Sequence, residues 1–316
     1  MNYKYLFGPV PSRRLGISLG IDLIPYKTCS YDCVYCECGR TTHLTDRRAE
    51  YVPTREVVDE LREFLGSHPK LDFITFSGSG EPTLHIGLGE IVQFIKVNYP
   101  QYKLALLTNG SLMGDPRVHQ EILPVDIVLP SLDAVEGSAF KAINRPHFRI
   151  DLASIIQGLA DFREIYKGAF HLEVFICPGV NDQPEHLHHL KEKIHFIKPD
   201  LVQLNSLDRP GTEDWVQPAT RLQLEEIAAF LDWQTEIIAK VKDRRAIQSY
   251  HEDIESGILE MIRRRPCTLE DLSETLGLHI NEINKYLETL LRNQRIASKK
   301  MERGTFFIVK DMTYDV

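Results

Sequence analysis

The sequence predicts an α/β fold, in which helices cover a parallel sheet, followed by a smaller domain of helices and a hairpin. From about residue 16 to residue 242, short apolar runs alternate with amphipathic helical patterns, and short turns separate them. This alternation is typical of parallel sheets with helices on the outside. Beyond about residue 250 the pattern changes to three helices and two strands. We therefore predict two domains, one at residues 1–248 and the other at residues 249–316.

Six strands are predicted, each followed by a loop or a helix. The first strand is "GISLGIDLI" at 16–24, and the others are predicted at 71–78, 103–110, 125–133, 170–179 and 200–207. The helices are predicted at 54–65, 86–98, 135–142, 151–166, 183–196 and 220–242, with a short one after Asp115. The helix at 54–65 shows the reasoning: it starts behind Pro53, carries apolar residues at helical spacing and stops at Gly66.

The stretch "YKTCSYDCVYCECGR", residues 26–40, contains four of the six cysteines of the chain. Disulfide, zinc, redox thiol pair and iron-sulfur cluster are the candidate explanations. A chain of 316 residues buries large cores without disulfides. Its first residues carry no secretory signal pattern, and no apolar run reaches the roughly 18 residues of a membrane span. We therefore expect a cytoplasmic protein without membrane contact, in which thiols stay reduced.

Zinc is the next candidate for these cysteines. Structural zinc usually takes two pairs of ligands from separate turns, so a single crowded loop is a poor tetrahedral site. Thiolates bind iron-sulfur clusters as readily as zinc, and a four-iron cluster has one ligand per iron. Three thiolates at this spacing would leave one iron open.

The run "CSYDCVYC", with Tyr35 just before its last cysteine, resembles the signature of the radical SAM superfamily. The resemblance implies that Cys29, Cys33 and Cys36 bind a 4Fe-4S cluster. It implies that S-adenosylmethionine chelates the open iron, and that an electron from a donor such as flavodoxin or ferredoxin leads to its cleavage to a 5'-deoxyadenosyl radical. It also implies that the six strand and helix units form the partial (β/α)6 barrel of this family.

Loops at the carboxyl ends of barrel strands carry chemistry because they converge on one mouth. After the second strand, "SGSGEPT" resembles the glycine-rich motif of the family, which implies that Glu81 holds the amino group of the cofactor. Hydroxyl, amide and carboxylate groups on the neighbouring loops suit its ribose and its carboxylate. The cofactor-binding residues predicted in this way are Tyr35, Ser77, Gly78, Gly80, Glu81, Asn109, Ser131, Asp133 and Arg145. Taken singly, these turns are as readily explained by side chains that satisfy their own backbone.

Other polar groups lie on the predicted rim. Those expected to face the substrate are Asn181, Asp182, Asn205, Asp208 and Arg209. Arg13 and Arg14 either bind an anion at the mouth or pair with the acids of a chain whose net charge is -8. Cys177 is expected to be buried, and Cys38 is either a spare ligand or a packing residue. The histidines of the helix at 183–196, His186 among them, are expected on a solvated face.

The sequence beyond residue 250 resembles a winged helix-turn-helix domain. Its third helix carries two acids and one lysine, Glu282, Glu288 and Lys285, a poor surface for phosphates. The hairpin is more basic, and its cations are Arg295, Lys299, Lys300 and Arg303. A local contact with RNA and a role in protein interaction are both compatible with this pattern.

The best interpretation is a radical SAM enzyme that abstracts hydrogen from an unidentified substrate. The motifs "SGSGEPTL" and "SLDA" resemble those of the tRNA-modifying wyosine-synthase group, which makes tRNA a candidate partner. Those enzymes use cysteines upstream of the motif for a second cluster, and none precedes Cys29 here. Two alternatives stay open: an activase that generates a radical on a partner protein, and a non-enzymatic iron-sulfur sensor with a winged-helix output.

Overall fold

The computed structural model describes most of the chain. The described residues are 3–12, 14–25, 27–36, 38–207, 211–238, 254–278, 283, 286–287, 290–291, 293–301 and 304–310. The predicted third helix of the second domain, and Arg13, Asp208, Arg209 and Arg303, lie outside or largely outside these ranges.

One eight-stranded sheet forms the body of the protein. The strands in chain order are β1 (Leu6–Ser12), β2 (Gly16–Ile21), β3 (Thr28–Cys29), β4 (His43–Leu44), β5 (Phe73–Phe76), β6 (Lys103–Thr108), β7 (Ile127–Pro130), β8 (Ala169–Phe175), β9 (Leu201–Asn205), β10 (Thr235–Ile237), β11 (Cys267–Thr268), β12 (Ile296–Met301) and β13 (Gly304–Val309). The main sheet has the order β1-β2-β5-β6-β7-β8-β9-β10. All neighbouring pairs in it are parallel except β1 with β2.

The helices lie between these strands in the order that the alternation predicts. They are α1 (Thr54–Leu65), α2 (Leu88–Asn98), α3 (Pro116–Ile122), α4 (Gly137–Ile143), α5 (Leu152–Ile165), α6 (Pro184–Ile197), α7 (Arg221–Leu231), α8 (Ile254–Arg264) and α9 (Leu269–Leu276). Each of α1, α2 and α5 buries an apolar stripe against the sheet, as its periodicity requires. None of the helices in the described ranges is long and apolar enough to cross a membrane.

The six predicted strands are confirmed as parallel neighbours, and the structure adds one strand at each edge. At one edge, β1 pairs antiparallel with β2. At the other, β10 pairs parallel with β9 and replaces part of the predicted helix at 220–242. That prediction was wrong beyond Leu231, because Asp232 adopts a left-handed conformation that ends α7. Residues 239–242 lie outside the described ranges.

The apolar residues form separate cores. The largest joins the main sheet to its helices, and its buried members include Leu19, Phe76 and Phe162. A second core, which includes Ile258, Leu272 and Ile296, belongs to the described residues from 254 to 310. These residues, which we call the C-terminal unit, contain α8, α9 and a sheet of order β11-β13-β12. Helix α9 also lies against β1.

Candidate functional site

The cysteine loop follows β2 and folds against the end of α4. Backbone hydrogen bonds fix this position, from Val34 N to Ile143 O at 2.9 Å and from Asp32 N to Asn144 O at 3.0 Å. Cys29, Cys33 and Cys36 are all free thiols, and all three are half-buried. The loop therefore presents three sulfurs at the carboxyl ends of the parallel strands, where the sequence predicts them.

Each of the three sulfurs accepts a hydrogen bond from a different part of the chain. Lys27 Nζ lies 3.0 Å from the sulfur of Cys36. The amide nitrogen of Asn109 lies 3.5 Å from the sulfur of Cys29, and that of Asn144 lies 3.6 Å from the sulfur of Cys33. Donors of this kind stabilise thiolates, and hydrogen bonds to sulfur tune iron-sulfur clusters. We did not predict Lys27 and Asn144 from sequence, because their partners come from folding.

The protonation of the cysteines fits a site that loses protons when a metal cluster binds. Burial raises the pKa of Cys29 to about 11, and burial likewise raises the pKa of Cys33. A hydrogen bond from Cys38 and the charge of Lys27 lower the pKa of Cys36 to about 5 against the effect of burial. Cluster ligation replaces protons on thiols, so Cys29 and Cys33 must release theirs.

The donor set fits a 4Fe-4S cluster with three protein ligands. Within the described ranges, no group of three or more His, Cys, Asp or Glu is placed to hold a single metal ion. A cluster does not need such convergence, because each thiolate binds its own iron. Cys29, Cys33 and Cys36 would hold it, and Lys27, Asn109 and Asn144 would donate to their sulfurs.

The glycine-rich loop after β5 packs tightly on the cysteine loop. A Cβ on Gly80 would lie 1.8 Å from the carbonyl oxygen of Thr28, and a Cβ on Gly78 would lie 2.2 Å from the carboxyl carbon of Asp22. Ser79 donates to Asp22 through its amide at 3.1 Å and its hydroxyl at 2.8 Å. Close packing against Asp22 and Thr28 therefore requires glycine at positions 78 and 80, independently of any bound ligand.

Glu81 joins two loops of the predicted mouth. One carboxylate oxygen accepts from the amide and hydroxyl of Thr83 and from the hydroxyl of Thr108, at 3.0, 2.6 and 2.6 Å. The other accepts from the amide of Asn109 at 2.6 Å. Burial raises the pKa of Glu81 in spite of these donors. A carboxylate oxygen has two lone pairs, and among the described contacts this second oxygen accepts from one donor, so it can still accept from an amino group of the cofactor.

Asp133 is a second buried carboxylate that connects elements. It accepts from the hydroxyl of Tyr35 and the amide nitrogen of Asn144, both at 2.6 Å, and from the backbone of Phe175 at 2.9 Å. The ring of Tyr35 stacks on that of Phe175 with centroids 3.9 Å apart. Burial raises the pKa of Asp133. This carboxylate therefore positions the cysteine loop, and its contacts are with protein groups.

The remaining predicted cofactor residues lie on the same loops with partners of their own. Asn109 also donates to the hydroxyl of Ser30 at 2.9 Å. The amide of Ser131 donates to Thr108 O at 2.9 Å. Arg145 pairs with Glu213 at 2.6 Å, and Glu213 also accepts from Arg40 at 2.6 Å. Glu213 lies on the loop after β9, so these pairs tie that loop to the cysteine loop.

A cavity of about 340 Å³ opens beside the cysteine loop. The predicted residues that line it are Tyr35, Cys36, Ser77, Gly78 and Asn205. Glu173 and Phe175 of β8, Phe7 and Arg14 of the N-terminal hairpin, and Met261, Arg264 and Leu276 of the C-terminal unit also line it. Glu173 pairs with Arg14. Glu173 was not predicted from the sequence, although a charged residue within the apolar run "FHLEVF" is a signal that could have found it. Of the two roles considered for Arg14, the structure shows the pairing with an acid.

Several rim predictions need correction. Asn181 is fully buried and bonds to Asp133 O, Phe175 O and Cys177 N, so it holds the loop and does not face a substrate. Asp182 accepts from Gly179 N at 2.8 Å. Cys177 is buried, as expected. His186 is 3% exposed and not solvated, because α6 turns it toward the body of the protein.

A parallel α/β fold with three cysteines and a glycine-rich loop at its carboxyl edge defines an iron-sulfur protein of the S-adenosylmethionine-binding class. The sequence model of the Radical SAM superfamily matches residues 23–190. The chain belongs to the radical SAM superfamily and, within it, to the UPF0026 family. Its cofactors are those of the superfamily, a 4Fe-4S cluster and S-adenosylmethionine.

Several relatives are similar to this chain. UPF0026 protein MJ1312 of Methanocaldococcus jannaschii is 35% identical over 280 residues, 86% of this chain and 85% of that protein. A protein of Brachyspira hyodysenteriae named GTPase Obg is 33% identical over 94% of this chain, which spans only 44% of that longer protein. The ribosomal RNA large subunit methyltransferase Cfr of Lachnoclostridium phytofermentans is 23% identical over 57% of this chain and 54% of its own length.

Solved structures share the fold. A radical SAM methyltransferase from Sphaerobacter thermophilus superposes with a TM-score of 0.54 at 16% identity, over 70% of this chain and 65% of that one. SuiB of Streptococcus suis bound to S-adenosylmethionine superposes with a TM-score of 0.52 at 12% identity, over 69% of this chain and 50% of that one. At this identity the likeness concerns the fold.

Proposed function

We propose that this protein is a radical SAM enzyme that acts on RNA. The observation that carries the enzymatic part is the cysteine loop, in which three sulfurs each accept one N–H donor beside a cavity that reaches Cys36. When bound, the cluster and S-adenosylmethionine supply the electron and the hydrogen-abstracting group. The residues of the chain hold the sulfurs, orient the loops and exclude water from the cavity.

RNA is the proposed substrate because a relative named as an RNA methyltransferase aligns with more than half of the chain. The C-terminal unit is proposed to be a winged-helix domain at residues 249–316, on the order α8, β11, α9, β12 and β13 of its described elements. Two basic residues of its hairpin have acidic partners: Lys299 pairs with Asp214 and Arg295 with Glu255. The hairpin is therefore not the surface on which the RNA proposal rests.

The test of the enzymatic part is the release of 5'-deoxyadenosine. The protein is purified without oxygen, reconstituted with iron and sulfide, and reduced in the presence of S-adenosylmethionine. We expect release by the native protein and none by Cys33→Ala. The matched control is Cys177→Ala, which removes a buried cysteine outside the loop and should retain release. A protein that keeps its cluster but never binds S-adenosylmethionine would favour the sensor alternative.

The test of the substrate compares two fractions of a cell extract. A total-RNA fraction, which contains both ribosomal and transfer RNA, is added to one reaction, and an RNase-treated, RNA-free protein fraction to another. The proposal predicts that the RNA fraction raises 5'-deoxyadenosine release several-fold and that RNase removes the effect. Stimulation by the protein fraction alone would replace it with the activase alternative.

A further inference from the structure

The C-terminal unit lies against the carboxyl ends of the parallel strands of the main sheet. Arg264 makes three of its contacts there. Arg264, at the end of α8, pairs with Asp22 just after β2 at 3.2 Å. Its guanidinium lies 4.3 Å from the centre of the Phe7 ring. Its carbonyl oxygen accepts from the thiol of Cys38 at 2.8 Å. One residue of the unit therefore contacts the N-terminal hairpin, the first parallel strand and the cysteine loop.

The same docking supplies part of the wall of the cavity beside the cysteines. Met261, Arg264 and Leu276 line it together with Tyr35 and Cys36. The unit thus supplies part of the wall of the cavity that Cys36 also lines. A group that enters this cavity from outside meets the C-terminal unit as well as the cysteine loop.

The size of the cavity limits what the docked arrangement can hold. Sites for a single small ligand usually measure roughly 300–1,000 Å³. The cavity measures about 340 Å³, at the lower end of that range. A radical SAM reaction needs room for the cofactor and for the reacting part of a substrate together. The docked form has room for one such ligand, so the second requires movement of a wall.

The wall that can move is the C-terminal unit. It has an apolar core of its own, separate from that of the main sheet. Its docking contacts are ion pairs, a cation–π contact, a thiol hydrogen bond and the packing of α9 on β1; Arg264 with Asp22 is the largely buried pair among them. Lys299 with Asp214 is one of them, and it is largely exposed.

Asp22 connects this docking to the glycine-rich loop. One carboxylate oxygen of Asp22, Oδ2, accepts a hydrogen bond from the guanidinium of Arg264 and also from the amide and the hydroxyl of Ser79. Ser79 lies between Gly78, which lines the cavity, and Gly80, which packs on Thr28. Release of Arg264 therefore changes the charge beside the loop that is predicted to hold the cofactor.

We propose that the C-terminal unit is the substrate-facing cover of the cavity, docked through Arg264 on Asp22, and that it moves away to admit the substrate. This inference rests on the proposed function, because it requires a second ligand beside the cofactor. In the docked form the cover shields the cysteine loop, and in the open form Met261 and Arg264 become available to the incoming substrate.

The test is hydrogen exchange followed by mass spectrometry on the reconstituted full chain. Asp22→Asn keeps an oxygen for Ser79 and removes the charge that Arg264 requires, while Arg264→Ala removes the partner from the other side. Each change is expected to speed exchange in residues 254–264 and 269–276 by roughly threefold to tenfold. The double variant should exchange no faster than the faster single variant, because both remove one interaction.

The control is Arg163→Ala, which removes an ion pair with the more exposed Asp200, away from the cover. It should leave exchange in residues 254–276 unchanged. Strands β12 and β13 should stay protected in the variants that undock the cover. If Arg264→Ala also exposes those strands, the unit has unfolded, and Asp22→Asn, which lies outside it, decides the question.

The proposal of a movable cover would be overturned by unchanged exchange in residues 254–276 of Asp22→Asn, or by additive effects in the double variant. Because exchange is measured without turnover, the two proposals fail separately. A protein that shows the expected exchange but releases no 5'-deoxyadenosine keeps the cover and loses the proposed function. One that releases it normally with unchanged exchange keeps the function and loses the cover.

Discussion

Two buried carboxylates act as connectors at this site, although the sequence pattern presents them as ligands. Asp133 receives donors from the cysteine loop, the end of α4 and β8. Glu81 receives donors from its own loop and from the loop after β6. Both side chains are 2% exposed. The sequence was enough to predict that these two carboxylates lie at the carboxyl ends of strands. It was not enough to predict their hydrogen-bond partners, and hence their role.

Asp133→Asn should loosen the cysteine loop. The amide keeps one acceptor oxygen but turns a donor toward the groups that now donate to Asp133. We expect the free energy of unfolding to fall by about 1–3 kcal/mol. The iron bound per chain after reconstitution should also fall, and denaturant unfolding with iron analysis measures both.

The control for this change is Asp182→Asn, a half-buried carboxylate on the same rim that also accepts a backbone amide. It should change stability by less than about 0.5 kcal/mol. Equal iron content and equal stability in Asp133→Asn and the native protein would contradict the connector role.

His85 makes the stability of the protein depend on pH. Its Nδ1 accepts from Gly87 N at 3.0 Å, and its Nε2 lies 2.8 Å from the carbonyl oxygen of Val52, to which it donates. The neutral ring satisfies both contacts, and burial lowers the pKa of His85 below its usual 6.5. The unfolded chain therefore binds a proton more readily, so this stabilisation is complete above about pH 6.5 and is lost as the pH falls through the lower, folded pKa.

The measurement compares the native protein with His85→Gln, by denaturant unfolding at pH 7.5 and pH 5.5. Other buried acids and histidines titrate in both proteins, so their effects cancel in the comparison. The native protein should lose more stability on acidification than the variant does. An equal loss in the two proteins would show that His85 is not the cause.

At the scale of elements, the glycine-rich loop and the cysteine loop are packed as one unit. Gly80 permits the contact, since a methyl group there would lie 1.8 Å from Thr28 O and 2.6 Å from a side-chain carbon of Ile24. Gly80→Ala should therefore push the two loops apart and destabilise the fold by about 1–3 kcal/mol. Iron retention and the unfolding midpoint measure the effect.

Gly137→Ala provides the matched control. Gly137 begins α4, and a Cβ there meets nothing within 4 Å. That variant should be neutral or more stable by up to about 1 kcal/mol, because alanine restricts the unfolded chain. If Gly80→Ala behaved like Gly137→Ala, the packing of the two loops would not depend on the glycine.

The elements show where sequence patterns succeed and where they stop. Apolar periodicity located the parallel strands and most helices, because burial on a sheet enforces it. Periodicity missed β10 for two reasons. Helix α7 ends at Leu231 because Asp232 adopts a left-handed conformation, and β10 is a strand only because β9 lies beside it. Periodicity also missed β1, whose glycine and prolines are atypical of a strand.

At the scale of the whole molecule, local motifs predicted the cluster loop and tertiary contacts supplied the rest. Cys29, Cys33 and Cys36 lie within eight residues, so the resemblance of this short run to the radical SAM signature was enough to predict them as cluster ligands. Lys27, Asn144 and Arg264 meet the loop only after folding, and Arg264 lies more than 200 residues away in the chain. The sequence did not indicate that the C-terminal unit lines the cavity, because no local pattern encodes docking between two cores.

The central claim is that three cysteines hold a cluster whose open iron binds S-adenosylmethionine. The most direct measurement is the electron paramagnetic resonance spectrum of the reduced, reconstituted protein with and without S-adenosylmethionine. The account predicts a 4Fe-4S signal that changes when the cofactor is added and that is absent from Cys33→Ala. A cluster signal that stays the same at saturating cofactor would contradict the claim.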